Sequence, residues 1–161
     1  MRLRTLGLGL ISILLATTLS ACGSGQGAET RKTNQVTDGV EKTITANGSK
    51  IKILNFLVVA TSDNAAVVVG TIINEGDIED TLLGASVGSL TATLTGVSAL
   101  KTNAPIRFEG EQANAKAVFL GANPQAGRRV LITLGFARAG LVTLNAIIRD
   151  QRDEYANIKS K

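Results

Sequence analysis

From Asn47-Gly48 onward, short apolar runs alternate with turn residues, and within the runs the apolar positions recur every second residue. That period belongs to half-buried strands. The better strand candidates are Lys50–Val59, Ala65–Ile73, Ser89–Leu94, Ala115–Leu120, Arg129–Phe136 and Leu141–Arg149, while Thr81–Ala85 and Ile106–Phe108 carry less of the pattern. The alternation is clearest in the last two: Val130, Ile132, Leu134 and Phe136 share one face, as do Val142, Leu144, Ala146 and Ile148, and Ala139-Gly140 between them suits a hairpin. Separators such as Ser62-Asp63-Asn64, Asn74-Glu75-Gly76-Asp77 and Thr102-Asn103-Ala104-Pro105 are turn formers. The expected fold is an all-β antiparallel sandwich of about seven strands.

A helix competes in Glu111–Leu120, where Ala113, Ala115, Lys116 and Ala117 favour it. Strand is preferred because Val118-Phe119-Leu120 is dense, short and stopped by Gly121. Residues 150–161 are charged and carry the only tyrosine, Tyr155, and read either as a frayed tail or as a short amphipathic helix. Residues 23–43 are rich in Gly, Ser, Thr, Asn and charge, so they bury too little to order themselves and read as a tether. About 20 such residues reach roughly 25 Å.

The first residues have a different pattern. Arg2 and Arg4 precede an apolar stretch, Thr5–Leu19, which ends in Leu-Ser-Ala-Cys at residues 19–22. A 15-residue helix spans about 22 Å, short of the roughly 30 Å hydrocarbon core, so a cleaved secretory signal fits better than a retained span. The ending resembles the lipobox of bacterial lipoproteins. That resemblance implies cleavage before Cys22, diacylglycerol on its sulfur and acylation of the new amine. The chain then divides into a signal peptide (1–21), a lipidated cysteine and tether (22–43), a sandwich domain (44–149) and a tail (150–161). The expected location is the extracytoplasmic face of the cell membrane, with the lipid at Cys22 as the membrane contact.

Cys22 is the only cysteine, so an exported domain has no disulfide and must be held by burial alone. Loss of residues 1–21 leaves 15 basic against 13 acidic residues, a net charge of +2, and the whole-chain pI near 9.5 overstates the basicity. Four Phe, one Tyr and no Trp give few stacking platforms, and the basic residues form no dense stripe, which excludes nucleic acid as a partner.

Two stretches carry a family resemblance. Ala66–Val87, AVVVGTIINEGDIEDTLLGASV, and Gly127–Ala146, GRRVLITLGFARAGLVTLNA, resemble the Asn-x-Gly turn with its Gly-Ala-Ser segment and the closing hairpin of the periplasmic copper chaperone family PCuAC. The likeness covers roughly residues 50–149. In layout (lipobox, tether, domain, short tail) the chain is similar to actinobacterial cell-wall lipoproteins, mycobacterial ones included. The resemblance implies a cupredoxin-like or immunoglobulin-like Greek-key β-sandwich. It also implies Cu(I) bound by a His on the strand after Gly-Ala-Ser and by a His-x-Met pair before the closing hairpin. Here those stretches read Ser89–Leu94 and Lys116–Leu120; the chain has no His, and its one Met is Met1. Soft Cu(I) needs thioether, thiolate or imidazole, so no metal and no cofactor is expected.

Catalysis has little to build on. Without His or a free Cys, and without Ser-x-x-Lys or Gly-x-Ser-x-Gly, the usual routes to an activated nucleophile are closed, and the chain reads as a non-enzyme. Glu75, Asp77, Glu79 and Asp80 offer oxygens to a hard cation but do not fit the twelve-residue calcium loop. A solvated turn, with Asn74 and Asp80 bonded to amides within the loop, accounts for them better. Glu109 and Glu111 read as another solvated turn, with no apolar surroundings to raise a pKa. Arg128 and Arg129 either face water, as paired basic residues leading into a strand usually do, or grip an anionic headgroup or cell-wall phosphate. The function expected is non-enzymatic recognition of an unknown envelope protein or ligand; copper handling and carriage of a small apolar ligand are the alternatives, and the last needs a cavity between the sheets.

Overall fold

A computed structural model describes residues 38–161, within a compact unit, Thr37–Lys161, that has its own hydrophobic core. The signal peptide, Cys22 and most of the expected tether lie outside the described residues. The strands are β1 (Val40–Ala46), β2 (Ser49–Ala60), β3 (Ala66–Asn74), β4 (Asp80–Val87), β5 (Leu90–Thr91), β6 (Thr93–Gly96), β7 (Ala99–Leu100), β8 (Ile106–Arg107), β9 (Ala115–Phe119), β10 (Arg129–Phe136) and β11 (Gly140–Asp150). The fold is all-β, as the periodicity requires.

Eleven strands form among the described residues where about seven were expected, because several are short pieces. Ser89–Leu94 is not one strand but β5 and β6, parted at Ala92, whose amide donates to Ala85 O at 2.9 Å. Strand β1 begins at Val40, inside the stretch read as tether, and pairs with β2 across the Asn47-Gly48 turn. Both turn residues have positive φ, 50° and 79°, as a two-residue hairpin turn demands.

Hydrogen-bonded neighbours run β5-β4-β10-β11-β2-β3-β9-β6. The two ends of this path, β5 and β6, are consecutive in the chain, so the sandwich is nearly closed and barrel-like. Strand β11 joins its halves: residues 140–147 pair antiparallel with β10, and Ile148–Asp150 pair parallel with Val58–Ala60 of β2. The core packs Ile132, Leu134 and Phe136 against Val142, Leu144 and Ala146 and against the inward side of β2 and β3.

Strand β2 changes phase midway. Ile51 and Ile53 point inward between exposed or half-buried lysines, but at Asn55 (φ 47°) the ladder to β3 slips, and from there Phe56 and Val58 face the core. Leu57 and Val59 therefore face outward. Tyr155, on a single 3-10 turn (Asp153–Tyr155), folds back over them and Val69 to make a second small core. Residues 150–161 are thus neither frayed nor an amphipathic α-helix.

Gly70 faces the bulge with φ 138°, and a Cβ there would stand 3.0 Å from Leu54 O, Asn55 O and Phe56 Cα. The three neighbours are backbone atoms and cannot swing away. Gly70→Ala should cost about 2 kcal/mol or more and lower Tm by roughly 8 °C or more in thermal unfolding of the Thr37–Lys161 unit; an unchanged Tm would contradict the account of the bulge.

Candidate functional site

The two ends of the sandwich differ in chemistry. One end, where β1 turns into β2 and β10 into β11, is closed by two buried polar side chains. Asp80, 3 % exposed, accepts hydrogen bonds from Arg138 N (2.8 Å), Ala139 N (2.9 Å), Thr81 N (2.7 Å) and Ser49 Oγ (3.0 Å). Burial opposes ionisation of this carboxyl, but the donors from Arg138, Thr81, Ala139 and Ser49 outweigh it and hold its pKa below the ordinary value. Asn74, fully buried, donates to Ile78 O (2.7 Å) and Leu100 O (3.0 Å) and accepts from Gly76 N (3.0 Å).

Asn74 therefore organises its own loop, as expected. Asp80 does not: apart from the adjacent Thr81 amide, its partners come from two distant turns. Glu75 pairs with Lys50 at 3.2 Å, and Asp77 and Glu79 are exposed, so the acidic run is spread out; among the described residues no group of three or more acidic, His or Cys side chains converges as a metal site would. Ser49 is buried and the Asn47 amide donates to Arg138 O at 2.8 Å.

Glu109 departs from expectation. It is half-buried, and burial, followed by the negative charge of Glu154, raises its pKa. Its electrostatic neighbour is the tail residue Glu154, while Glu111 is exposed. The same neighbourhood, after burial, pushes the Tyr155 hydroxyl up to about 12 through Glu154, Asp38 and Glu109, and Arg149 lies 3.3 Å from Asp38. Tyr155 packs on the outer side of β2 with Leu57 and Val59, so these acids are part of the tail's docking rather than of the interior.

The other end is apolar and open. A cavity of about 390 Å3 lies there, floored by Val58, Ala66 and Ile148 and walled by Val87, Leu90 and Phe119. Gly121, Ala122 and Pro124 form its lip, and Val130 completes it. No lining side chain is polar. Its size falls in the range of ligand sites, roughly 300–1,000 Å3. The sequence does not reveal it, because its walls come from single residues on seven separate segments.

The stretches to which the resemblance assigns copper ligands adjoin this end and each other. Strand β6 pairs with β9, placing Thr93 opposite Val118 and Leu94 opposite Ala117. Leu90 and Phe119, from the same two stretches, line the cavity. The geometry brings the two segments together, and the side chains there are hydroxyl and hydrocarbon apart from the amine of Lys116.

No family model matches the chain, and no curated protein matches it. Among solved structures the chain is similar to the apo PCuAC domain from PmoF1 (22% identity, 69% of this chain and 99% of that one, TM-score 0.57). It is also similar to the copper-bound PCuAC domain from PmoF2 (18% identity, 69% and 98% covered, TM-score 0.56) and to the apo form of that domain (17%, 70% and 98%, 0.55). The fold is PCuAC-like. At these identities the likeness is one of architecture, and it covers the whole of each domain compared.

Because Asp80 clamps three separated segments, Asp80→Asn should cost about 2–3 kcal/mol at pH 7. The sign of the pH effect follows from the lowered pKa: the carboxylate's contribution is complete above the unfolded value of about 3.9 and is lost as pH falls through the lower folded value. Thermal melts from pH 7 to pH 2 should show the variant's deficit shrinking at the acid end; a deficit that stays constant would mean charge is not what Asp80 supplies.

Proposed function

We propose that this chain is a non-enzymatic binding module of the cell envelope, held on the extracytoplasmic face of the membrane by lipid on Cys22. The observation that carries the binding part is the end of the sandwich where β6 meets β9. Positions that the PCuAC resemblance gives to His and Met bear Thr, Leu, Ala, Val and Lys, beside a cavity whose side chains are all apolar. Such an end suits recognition through shape and apolar contact, and holds no group able to bind Cu(I). The anchoring part rests on the Arg2, Arg4 and Leu-Ser-Ala-Cys pattern. The resemblance to a copper chaperone family, and a sequence without a nucleophile-and-base pattern, support the non-enzymatic part of the reading.

Likeness to three PCuAC domains, one of them copper-bound, favours a second reading in which the module handles copper with ligands completed by a partner. The two readings part in a Cu(I) competition titration of the Thr37–Lys161 unit, with a His- and Met-bearing PCuAC domain as positive control. The first reading expects no transfer from the competing chelator; stoichiometric transfer would replace it with the second.

Anchoring is tested on the full chain. Cys22→Ala should give protein that is unlipidated and uncleaved or released, because one thioether-linked diacylglycerol provides the two chains that stable anchoring requires. Mass spectrometry and partition between water and detergent report this, and unaltered partition into detergent would overturn the lipid assignment.

A further inference from the structure

We propose that the apolar cavity is a binding site for a single alkyl chain ending in an anionic headgroup, such as a fatty acid. This deepens the binding-module reading, and it does not depend on the anchor. The chain-binding part follows from the lining. Val58, Leu90, Phe119, Val130 and Ile148 surround the space with hydrocarbon, and no lining side chain offers a hydrogen bond to a polar ligand. A polar ligand entering there would find only main-chain atoms to replace its water, whereas an alkyl chain gains with every methylene buried.

The headgroup follows from the charge on the segments that carry the lining. From Gln112 to Arg149 the chain contains no acidic residue, and neither does Thr81–Phe108. Arg128 is exposed, and among the described residues its side chain has no ion pair or hydrogen bond; its carbonyl accepts from the amide of Ile148, whose side chain lines the floor. Arg129 alternates with the lining residue Val130, so its guanidinium lies on the other face of β10, where it donates to Asn145 O at 3.0 Å. The acids at this end are engaged elsewhere. Asp63 takes the hydroxyls of Thr61 and Ser160, and Asp150 pairs with Arg152. A guanidinium without a carboxylate partner, on the residue whose carbonyl is bonded to the Ile148 amide, is complementary to an anionic amphiphile, and an unpaired cationic head would be repelled.

The test uses the Thr37–Lys161 unit, titrated with dodecanoate below the concentration at which it forms micelles and followed by calorimetry and by methyl resonances. Saturable one-to-one binding is expected, with shifts at Val58, Leu90, Val130 and Ile148. Shortening to decanoate should weaken it about 15-fold, the effect of two methylenes. Ala122→Trp, which fills the lip, should reduce affinity by about tenfold or more. Arg128→Glu, at an exposed position that leaves Tm unchanged, should weaken dodecanoate about threefold to tenfold and leave uncharged dodecanol unaffected. Absence of saturable binding by folded protein would overturn the proposal, as would affinity independent of chain length, or an Arg128→Glu variant that binds dodecanoate unchanged. None of these failures touches the binding-module reading, whose own tests are copper competition and partition of the Cys22 variant.

Discussion

One extra residue in β2 decides which side of the strand is inside. Had the alternation that starts at Ile51 and Ile53 run on unbroken, Asn55 would have faced the core, with Phe56 and Val58 in water. The bulge at Asn55 prevents both, at the cost of a positive φ at that residue, and it needs space on both flanks. Gly70 supplies one side. Gly39 supplies the other: a Cβ there would lie 2.2 Å from Asn55 C, and its amide donates to the Asn55 side-chain oxygen at 3.2 Å. Two consequences follow from this phase change. Leu57 and Val59 are turned outward, which makes the Tyr155 turn necessary as a cover, and Val58 is turned inward, where it becomes part of the cavity floor.

The two ends of the sandwich divide the work between stability and binding. At the closed end a buried carboxylate is tolerable because it is met by four donors, three of them backbone amides that cannot move without unravelling a turn. Asp80 thereby fixes the β10–β11 hairpin to β4 and, through Ser49, to β2. At the other end Gln151, which accepts from Ser62 N and donates to Ile158 O, ties the β2–β3 turn to the tail, but among the described residues no side-chain hydrogen bond reaches the lip. Strands β5 and β6 are two and four residues long, and the lip is a loop held to its surroundings by contacts such as Asn123 N to Asn64 O at 3.2 Å. Local opening is least costly where few such bonds cross, so the end that can admit a ligand is also the end least firmly closed.

The legible parts of the fold are those where one residue type at one spacing has one meaning. Arg129–Phe136 and Leu141–Arg149 alternate cleanly because each has one face in the core and one in water, and the structure places β10 and β11 there. Asn47-Gly48 and Asn74 act locally, so local sequence describes them. Strand β1 is hidden because VEKTITA pairs only with β2 among the described residues and buries none of its side chains fully; it has strand geometry without strand composition. The Asp80 clamp was not readable because its partners Arg138 and Ala139 lie 58 and 59 positions away. Glu109 likewise owes its shifted pKa to burial and to Glu154 on the tail. The cavity is the extreme case, being a property of where several strands stop.

A PCuAC-like fold that lacks the soft ligands implied by the resemblance is physically coherent. A metal site on β6 and β9 requires that the two strands be adjacent, and adjacency is secured by their backbone ladder, Thr93–Gly96 against Ala115–Val118, which is indifferent to the side chains it carries. Side chains there that are hydroxyl, hydrocarbon and the Lys116 amine, where the PCuAC resemblance implies imidazole and thioether, therefore leave the architecture intact and, on the reading proposed above, offer Cu(I) no soft ligand. What that end presents is apolar surface from Leu90 and Phe119, continuous with Val58, Val130 and Ile148. Closing the space with larger side chains would have added stability by burying more hydrocarbon. The small residues Gly121, Ala122 and Ala66 line it instead, and an open apolar cavity next to the segment that carries Arg128 is better explained by something that enters it than by packing.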